Sequence, residues 1–232
     1  MKSIQFIIDG NWAHFKKPET NNNPLTHDFI TKTALIGLIG AVLGKERDVM
    51  RLLFPQLSDD LLYGVQIMRP VKKESWGFTM RKAVNLLEKA PKQMEFLKTP
   101  EFRIALALHN MRSERIFNEF VEALKNNEAK YTPILGLHNC PANIKFQSEG
   151  NFSEKQNGQF KTKCIVSNKH VLNIQEKRQF RIGFERIPTF QNDDFWNLPG
   201  KYVEVVYPSE NREIAVTGEH YKYSDGECWW LI

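Results

Sequence analysis

Cysteine is scarce in this 232-residue chain: Cys140, Cys164 and Cys228 are an odd number without close spacing. They build neither a disulfide framework nor a four-thiolate zinc site, and a reducing compartment suits them best. Long apolar runs are missing as well. The uncharged, apolar stretch at residues 33–44 has twelve residues, where a bilayer-spanning helix needs about 20. The start, MKSIQFIIDGNWAHF, holds one lysine and an apolar run broken by Asp9, which is no signal peptide. A soluble, cytoplasmic protein with no membrane association is expected. Several catalytic signatures are absent too. GLIGAVLG lacks the Lys and Ser/Thr of a phosphate-binding loop, and there is no GxSxG elbow. Six scattered histidines form neither HExxH nor an i, i+4 pair, so no metal and no cofactor are expected. No repeat of 20–50 residues, low-complexity segment or Gly/Ser linker interrupts the chain.

What is present is an ordinary globular composition, 41% hydrophobic and 25% charged, in a chain long enough for one large domain or two small ones. The net charge of +5 is unevenly placed. Residues 1–148 carry 21 basic and 15 acidic side chains, and residues 149–232 carry 11 and 12. Any surface for a polyanion therefore lies early. Within it, residues 69–103 hold nine basic and four acidic side chains, a local excess of +5.

The pattern of apolar residues predicts a strand at 3–8, then a long loop through KKPETNNNPLTHD, whose prolines and triple Asn reject helix and strand. Asp28 or Thr31 is placed to cap a helix over 29–43. That helix has almost no polar face, and Gly37, Gly40 and Gly44 share one side of it. Each glycine costs about 1 kcal/mol of helix stability relative to Ala, so something must approach closely: a neighbouring strand or helix, or a phosphate backbone. A short helix at 49–54, strands at 61–68 and 102–108, a helix at 113–124 and extended stretches at 131–137 and 142–146 follow. The order β, α, β, β, α, β is the ferredoxin-like arrangement. From residue 150 the chain turns to short β-prone stretches separated by turns such as Asn157-Gly158 and Asp225-Gly226. The expected fold is α+β, with a domain over 1–148 and a smaller β-rich region over 149–232. Trp229-Trp230 is either core or interface.

The strongest functional signal is VKKESWGFTMRKAVN, where Lys72, Lys73, Arg81 and Lys82 surround Trp76, Phe78 and Met80. A protruding hairpin with Gly77 at its bend would let the cations follow a sugar-phosphate backbone while an aromatic or Met80 wedges against an unstacked base. The plainer alternative is a solvated excursion whose aromatics pack on the body. A sheet face of the RNA-recognition-motif kind is not expected, because FRIALAL lacks the aromatics such a face stacks bases on. Metal-free RNA cleavage could draw on Lys169-His170, on His14 with Lys16, or on Tyr63. Adjacent side chains on a strand point to opposite faces, which favours a solvated strand edge for Lys169-His170.

Taken together, GNWAHFKKPETNNNP followed by FITKTALIGLIGAVLG, QMEFLKTPEFRIALAL, YTPILGLHNCPANI, and FERIPTF with VEVVYPSEN resemble the Cas-five family of the CRISPR-associated RAMP superfamily, closest to its type I-B branch. The resemblance implies a ferredoxin-like (RRM-like) RAMP domain with a thumb insertion at about 70–98 and a smaller C-terminal β region. It further implies a Cascade subunit of antiviral defence that caps the backbone filament. There it would hold the 5′ handle of the CRISPR RNA beside the first backbone subunit and the large subunit, and meet target DNA only indirectly. On that basis Lys16, Lys17, Lys32, Lys72, Lys73, Arg81 and Lys82 are expected on the RNA backbone. Trp76 and Met80 are expected as wedges, and His14 on a base or phosphate. A branch of the family cuts the repeat with a Tyr, a Lys and a His; that trio has no matching context here, so a non-catalytic role is expected. A metal-independent endoribonuclease and an assembly scaffold that contacts only proteins are the alternatives.

Overall fold

The computed structural model describes residues 1–81, 89–173, 181–190, 201–209 and 211–232. Its elements run β1 (Lys2–Asp9), β2 (Trp12–Ala13), α1 (Lys32–Val42), α2 (Arg47–Asp60), β3 (Leu61–Ile67), β4 (Lys73–Arg81), β5 (Lys89–Lys98), β6 (Glu101–Leu108), a 3-10 turn (Met111–Ser113), α3 (Glu114–Lys125) and β7 (Asn143–Asn151). Then come β8 (Gln156–Thr162), β9 (Val166–Ser167), β10 (Val171–Leu172), β11 (Ile182–Phe190), β12 (Lys201–Pro208), β13 (Ile214–Lys222) and β14 (Cys228–Trp229). The described residues thus form a strand-rich mixed α/β structure with three α-helices.

The main sheet has the order β3-β6-β1-β7, antiparallel throughout. Alternation along the strands sends Ile4, Phe6, Ile8, Ile104 and Leu106 into one core, which they share with Leu35 and Ile39 of α1 and Phe117 and Phe120 of α3. Phe6 meets Phe120 edge to face at 5.7 Å. Ala105 and Ala107 point the other way, into a second cluster with Phe152, Tyr223, Trp229 and Leu231. Small residues are required there. A Cβ on Gly64, which pairs with Ala105, would lie 2.9 Å from the Trp229 ring. FRIALAL thus reads out both sides of one strand, and the face opposite the helices is covered by the C-terminal region. Trp229 is core, whereas Trp230 is half-buried. The final residue pairs with the edge strand β3 through Tyr63 and Ile232, 3.1 and 2.9 Å.

Helix α1 starts where Thr31 Oγ1 accepts from Ala34 N at 3.4 Å. It is three residues shorter at its start than the apolar run suggested, because Phe29 and Ile30 are buried in the preceding extended segment. Its three glycines have three roles, not the one shared approach their spacing suggested. Gly44 is the left-handed residue after the helix (φ +66°), and the bonds Gly44 N to Ala41 O and Lys45 N to Gly40 O close a Schellman cap. Gly40 packs on Met50 of α2, while a Cβ on Gly37 would meet nothing beyond the adjoining backbone of its own helix within 4 Å. Helix α2 runs past Pro55 to Asp60, beyond the expected stop at residue 54. Its end is anchored: the buried Asp60 carboxylate accepts from Arg112 at 2.5 Å and Ser113 at 2.7 Å.

Strands β4 and β5 form the inserted hairpin, with Gly77 opposite Gln93 in mid-strand. Gly77 is therefore not at a bend. The boundary drawn on composition at 148/149 falls inside β7, which stays paired with β1 to residue 151. Gly37→Ala should raise unfolding stability by about 1 kcal/mol, since it only improves helix propensity. Gly44→Ala should lower it by about 1–2 kcal/mol, since it forces a left-handed Ala. Urea denaturation of both variants checks this; equal losses would reject the assignment.

Candidate nucleic-acid interface

The loop after β2 is held on both sides. One leg pairs with the segment after α3, His14 N donating to Leu135 O at 3.0 Å. The turn that follows needs glycine: Gly136 has φ +90°, and a Cβ there would lie 1.9 Å from the His14 carbonyl oxygen. This is what Leu135 and Gly136 of the YTPILGLHNCPANI stretch do. The loop then folds back on itself through Lys17 N to Leu25 O and His27 N to Phe15 O, both 2.8 Å, with a β-bridge between Lys16 and Thr26. Its outer leg lies along β5. Glu95 N donates to Pro24 O at 3.0 Å, Lys92 Nζ to Asn22 Oδ1 at 2.8 Å and Gln93 N to Asn23 Oδ1 at 3.2 Å. Two of the three consecutive asparagines thus dock the loop on the hairpin.

A charged cluster fastens this loop to the hairpin and to the C-terminal strands. Lys17 Nζ lies 2.6 Å from Glu185 Oε1, Asp28 N donates to Glu185 Oε2 at 3.0 Å, and His27 Nδ1 stands 3.6 Å from the same oxygen, at ion-pair rather than hydrogen-bond range. Lys73 Nζ sits 2.6 Å from Asp28 Oδ1 and 3.2 Å from Glu95 Oε1. Tyr207 Oη donates to Asp28 Oδ2. Burial pushes the Glu185 carboxyl up, but His27 and Lys17 beside it outweigh burial and hold it down at about 2. Burial likewise pulls the Lys73 ammonium down, and Asp28 and Glu95 more than reverse it. Burial, reinforced by Asp28, raises the Tyr207 hydroxyl.

The structure sorts the sequence-derived candidates into two groups. Lys17 and Lys73 are engaged by carboxylates. Lys32 is buried, its Nζ 3.2 Å from the Ile232 carbonyl oxygen, and burial pulls it down to about 8. Helix periodicity explains this, because residues 32, 35, 36 and 39 face the core. His14 is buried too; its Nδ1–H donates to the Glu95 carbonyl oxygen at 2.6 Å, and burial lowers its pKa. Trp76 is no free wedge: it packs at 4.6 Å on Trp12 and 4.9 Å on Phe96. Lys16, Lys72 and Arg81 are exposed, and Lys16 Nζ donates to Asn21 Oδ1 at 3.2 Å. Met80 lies within β4, and Lys82 falls outside the described residues.

Between α1, the loop, β5 and the segment after α3 lies a groove of about 610 Å³, within the range of ligand sites. Ala34, Gly37 and Ala41 form its floor, Pro24 and Met94 one wall, Ile134 and Leu137 the other, with Thr31 and Thr33 at one end and Lys16 and His14 at its edge. A search for charge alone misses these residues. The one sequence signal for them is Gly37, the glycine whose missing side chain keeps the floor open. The other histidine candidate lies elsewhere: His170 lines a separate cleft in the C-terminal region, its Nε2 2.7 Å from the Glu219 carbonyl oxygen, with Lys169 exposed beside it. Tyr63 is fully buried, and burial raises its pKa. Among the described residues no helix is long and apolar enough to cross a membrane, and no group of three or more His, Cys, Asp or Glu is placed to hold a metal.

Sheet, covering helices and inserted hairpin define the class as a strand-rich α/β protein with a groove beside its first long helix. The family model described as CRISPR-associated protein (Cas_Cas5) matches residues 3–171, and the chain belongs to that family. Among solved structures, it is similar to a CRISPR protein from Archaeoglobus fulgidus at 12% identity and TM-score 0.59, covering 100% of this chain and 98% of that one. It is also similar to a chain of a CRISPR RNA-guided surveillance complex (13%, TM-score 0.50, 93% and 91% covered). A third likeness is to a chain of the Type III-B Cmr-beta complex bound to cognate target RNA and AMPPnP (8%, TM-score 0.51, 92% and 86% covered). At these identities the likeness is one of fold. No curated protein sequence matches the chain.

The Glu185 carboxylate carries a stability term with a definite sign. Its folded pKa is depressed from 4.5 to about 2, so the contribution is complete above pH 4.5 and is lost as pH falls from there to about 2. Linkage makes the loss on the order of 3 kcal/mol. Urea unfolding of the wild type at pH 7, 5, 4 and 3 should show this acid limb and Glu185→Gln should flatten it; parallel curves would contradict the cluster.

Proposed function

We propose that the chain is a non-catalytic subunit of a type I-B CRISPR effector complex, Cascade, which lays the 5′ handle of the CRISPR RNA along the groove and hairpin. In this reading it caps the backbone filament beside the large subunit. The observation that carries it is the open floor at Gly37, where a Cβ would meet nothing beyond the adjoining backbone of its own helix within 4 Å, in a family whose members act in CRISPR systems. A backbone or base can approach that floor as no side-chain-bearing helix would allow. The lining is mostly apolar, which suits a splayed base, while the exposed Lys16, Lys72 and Arg81 suit phosphates. Strand order β3-β6-β1-β7, with helices on one face and the hairpin inserted between β3 and β6, supports reading the domain as ferredoxin-like with a thumb.

The non-catalytic reading is supported by the dispersal of the acid–base candidates. His14 and His170 line different cavities, each with its ring held on a backbone carbonyl oxygen, and Tyr63 is buried. Repeat RNA incubated with the protein and EDTA should stay intact; a single cut lost in His170→Ala would overturn this. Handle binding is checked separately. Affinity for handle RNA should fall with salt at a log-log slope of roughly 0.7 per phosphate neutralised, and Lys72→Glu with Arg81→Glu should flatten that slope. Gly37→Leu should weaken binding at least tenfold with no loss of melting temperature. Wild-type affinity in Gly37→Leu would remove the groove from the account, and unchanged slopes would favour a scaffold that contacts proteins alone.

A further inference from the structure

A cleft of about 910 Å³ lies away from the groove, between the β11-β12-β9 sheet and the β8-β13-β10 strands. It is a built feature. His170 is buried and ties its walls together, Nε2 2.7 Å from the Glu219 carbonyl oxygen and Nδ1 3.2 Å from that of Ser167. It lies flat on β13 because residue 218 is glycine; a Cβ there would stand 2.3 Å from the His170 ring. His170 is thus a positioning residue, and its neighbour Lys169 points out to solvent.

The cleft is lined by two carboxylates, Glu204 and Glu219, and two cations, Lys169 and Arg186. Glu219 pairs with Lys155 at 3.2 Å, and Glu204 accepts from Asn168 at 2.5 Å. Lys169 and Arg186 line the same cleft, and Arg186 stands opposite Glu204 in the β11-β12 register. Arg186 lays its guanidinium over the Tyr202 ring, 4.1 Å from the centroid. One residue pair away on the same face of β11, Phe184 is 72% exposed. A guanidinium plane backed by an aromatic ring is a surface on which a base stacks, and the exposed Lys169 offers a cation to that nucleotide's phosphate. Asn157 and Thr217 on the facing wall offer an amide and a hydroxyl to a base edge.

We propose that this cleft binds one nucleotide, its base on the face of the Arg186 guanidinium turned away from Tyr202 and its phosphate on Lys169. The site does not rest on the handle reading, and its test keeps the two apart. The full chain is irradiated with a single-stranded ten-nucleotide RNA that carries 4-thiouridine and no repeat sequence, and labelled peptides are mapped. Label is expected on peptides holding residues 167–170, 186 or 202–204. Arg186→Ala and Lys169→Ala should each cut that label roughly tenfold, leaving label on peptides of the groove unchanged. Lys169 is exposed, so its variant reports even if Arg186→Ala disturbs the sheet. Competition by millimolar uridine 5′-monophosphate as effective as by unlabelled ten-mer identifies a free nucleotide as the ligand; competition by the ten-mer alone identifies a strand. No label on the cleft peptides, or label unchanged in both variants, overturns the proposal, whatever happens at the groove.

Discussion

Glu185 is where three otherwise separate parts of the chain meet. Its carboxylate joins the long loop through Lys17 and the Asp28 amide, and through Asp28 and Lys73 the same network reaches the inserted hairpin. A buried carboxylate is costly to desolvate and persists only when its oxygens are met by donors and cations. Here they are, on both oxygens. Removing one partner from such a pair leaves a buried charge uncompensated, a loss of about 3–5 kcal/mol, which is why the loop keeps one position despite its prolines and asparagines. That position forms a wall of the groove. The groove's shape is thus set by electrostatics at one end and, at the other, by the close approach of Gly136 to the His14 carbonyl.

The lysines of the basic segment consequently divide by task. Lys17 and Lys73 hold the frame; Lys16, Lys72 and Arg81 face solvent, where attraction to a polyanion is salt-dependent and delocalised. The aromatics divide in the same way. Trp12, Trp76 and Phe96 form a packed base for the hairpin, and Phe78 is the partly exposed member at the edge of that cluster. An insertion rich in cations and aromatics therefore has a structural half and a surface half, and composition cannot separate them.

Much of the fold was legible because it rests on local rules. The alternation of FRIALAL and the apolar stripe of α3 each follow from spacing alone, and the cap of α1 was narrowed to Asp28 or Thr31, of which the structure uses Thr31. Helix α2 was not, because Pro55 signals a stop, and past it the helix is held by long-range bonds, those of Asp60 to Arg112 and Ser113 and of Ser58 to the Thr189 carbonyl oxygen. The site was legible in type but not in position. Side chains named for charge turned out to be ion-paired with residues distant in sequence, Lys17 with Glu185 most plainly, and no one-dimensional pattern announces that pairing. The glycines of α1 were read as one feature because they share a helical side, yet an open floor, a helix contact and a left-handed cap are distinguished only by what lies opposite each.

The claim that a single strand lies on the α1 floor is tested most directly by hydrogen–deuterium exchange of the full chain with and without handle RNA. Amides of residues 33–38 and 132–137 should gain protection together, since they line the two sides of one groove. Protection confined to other surfaces, with both of these segments unchanged at saturating RNA, would contradict the account.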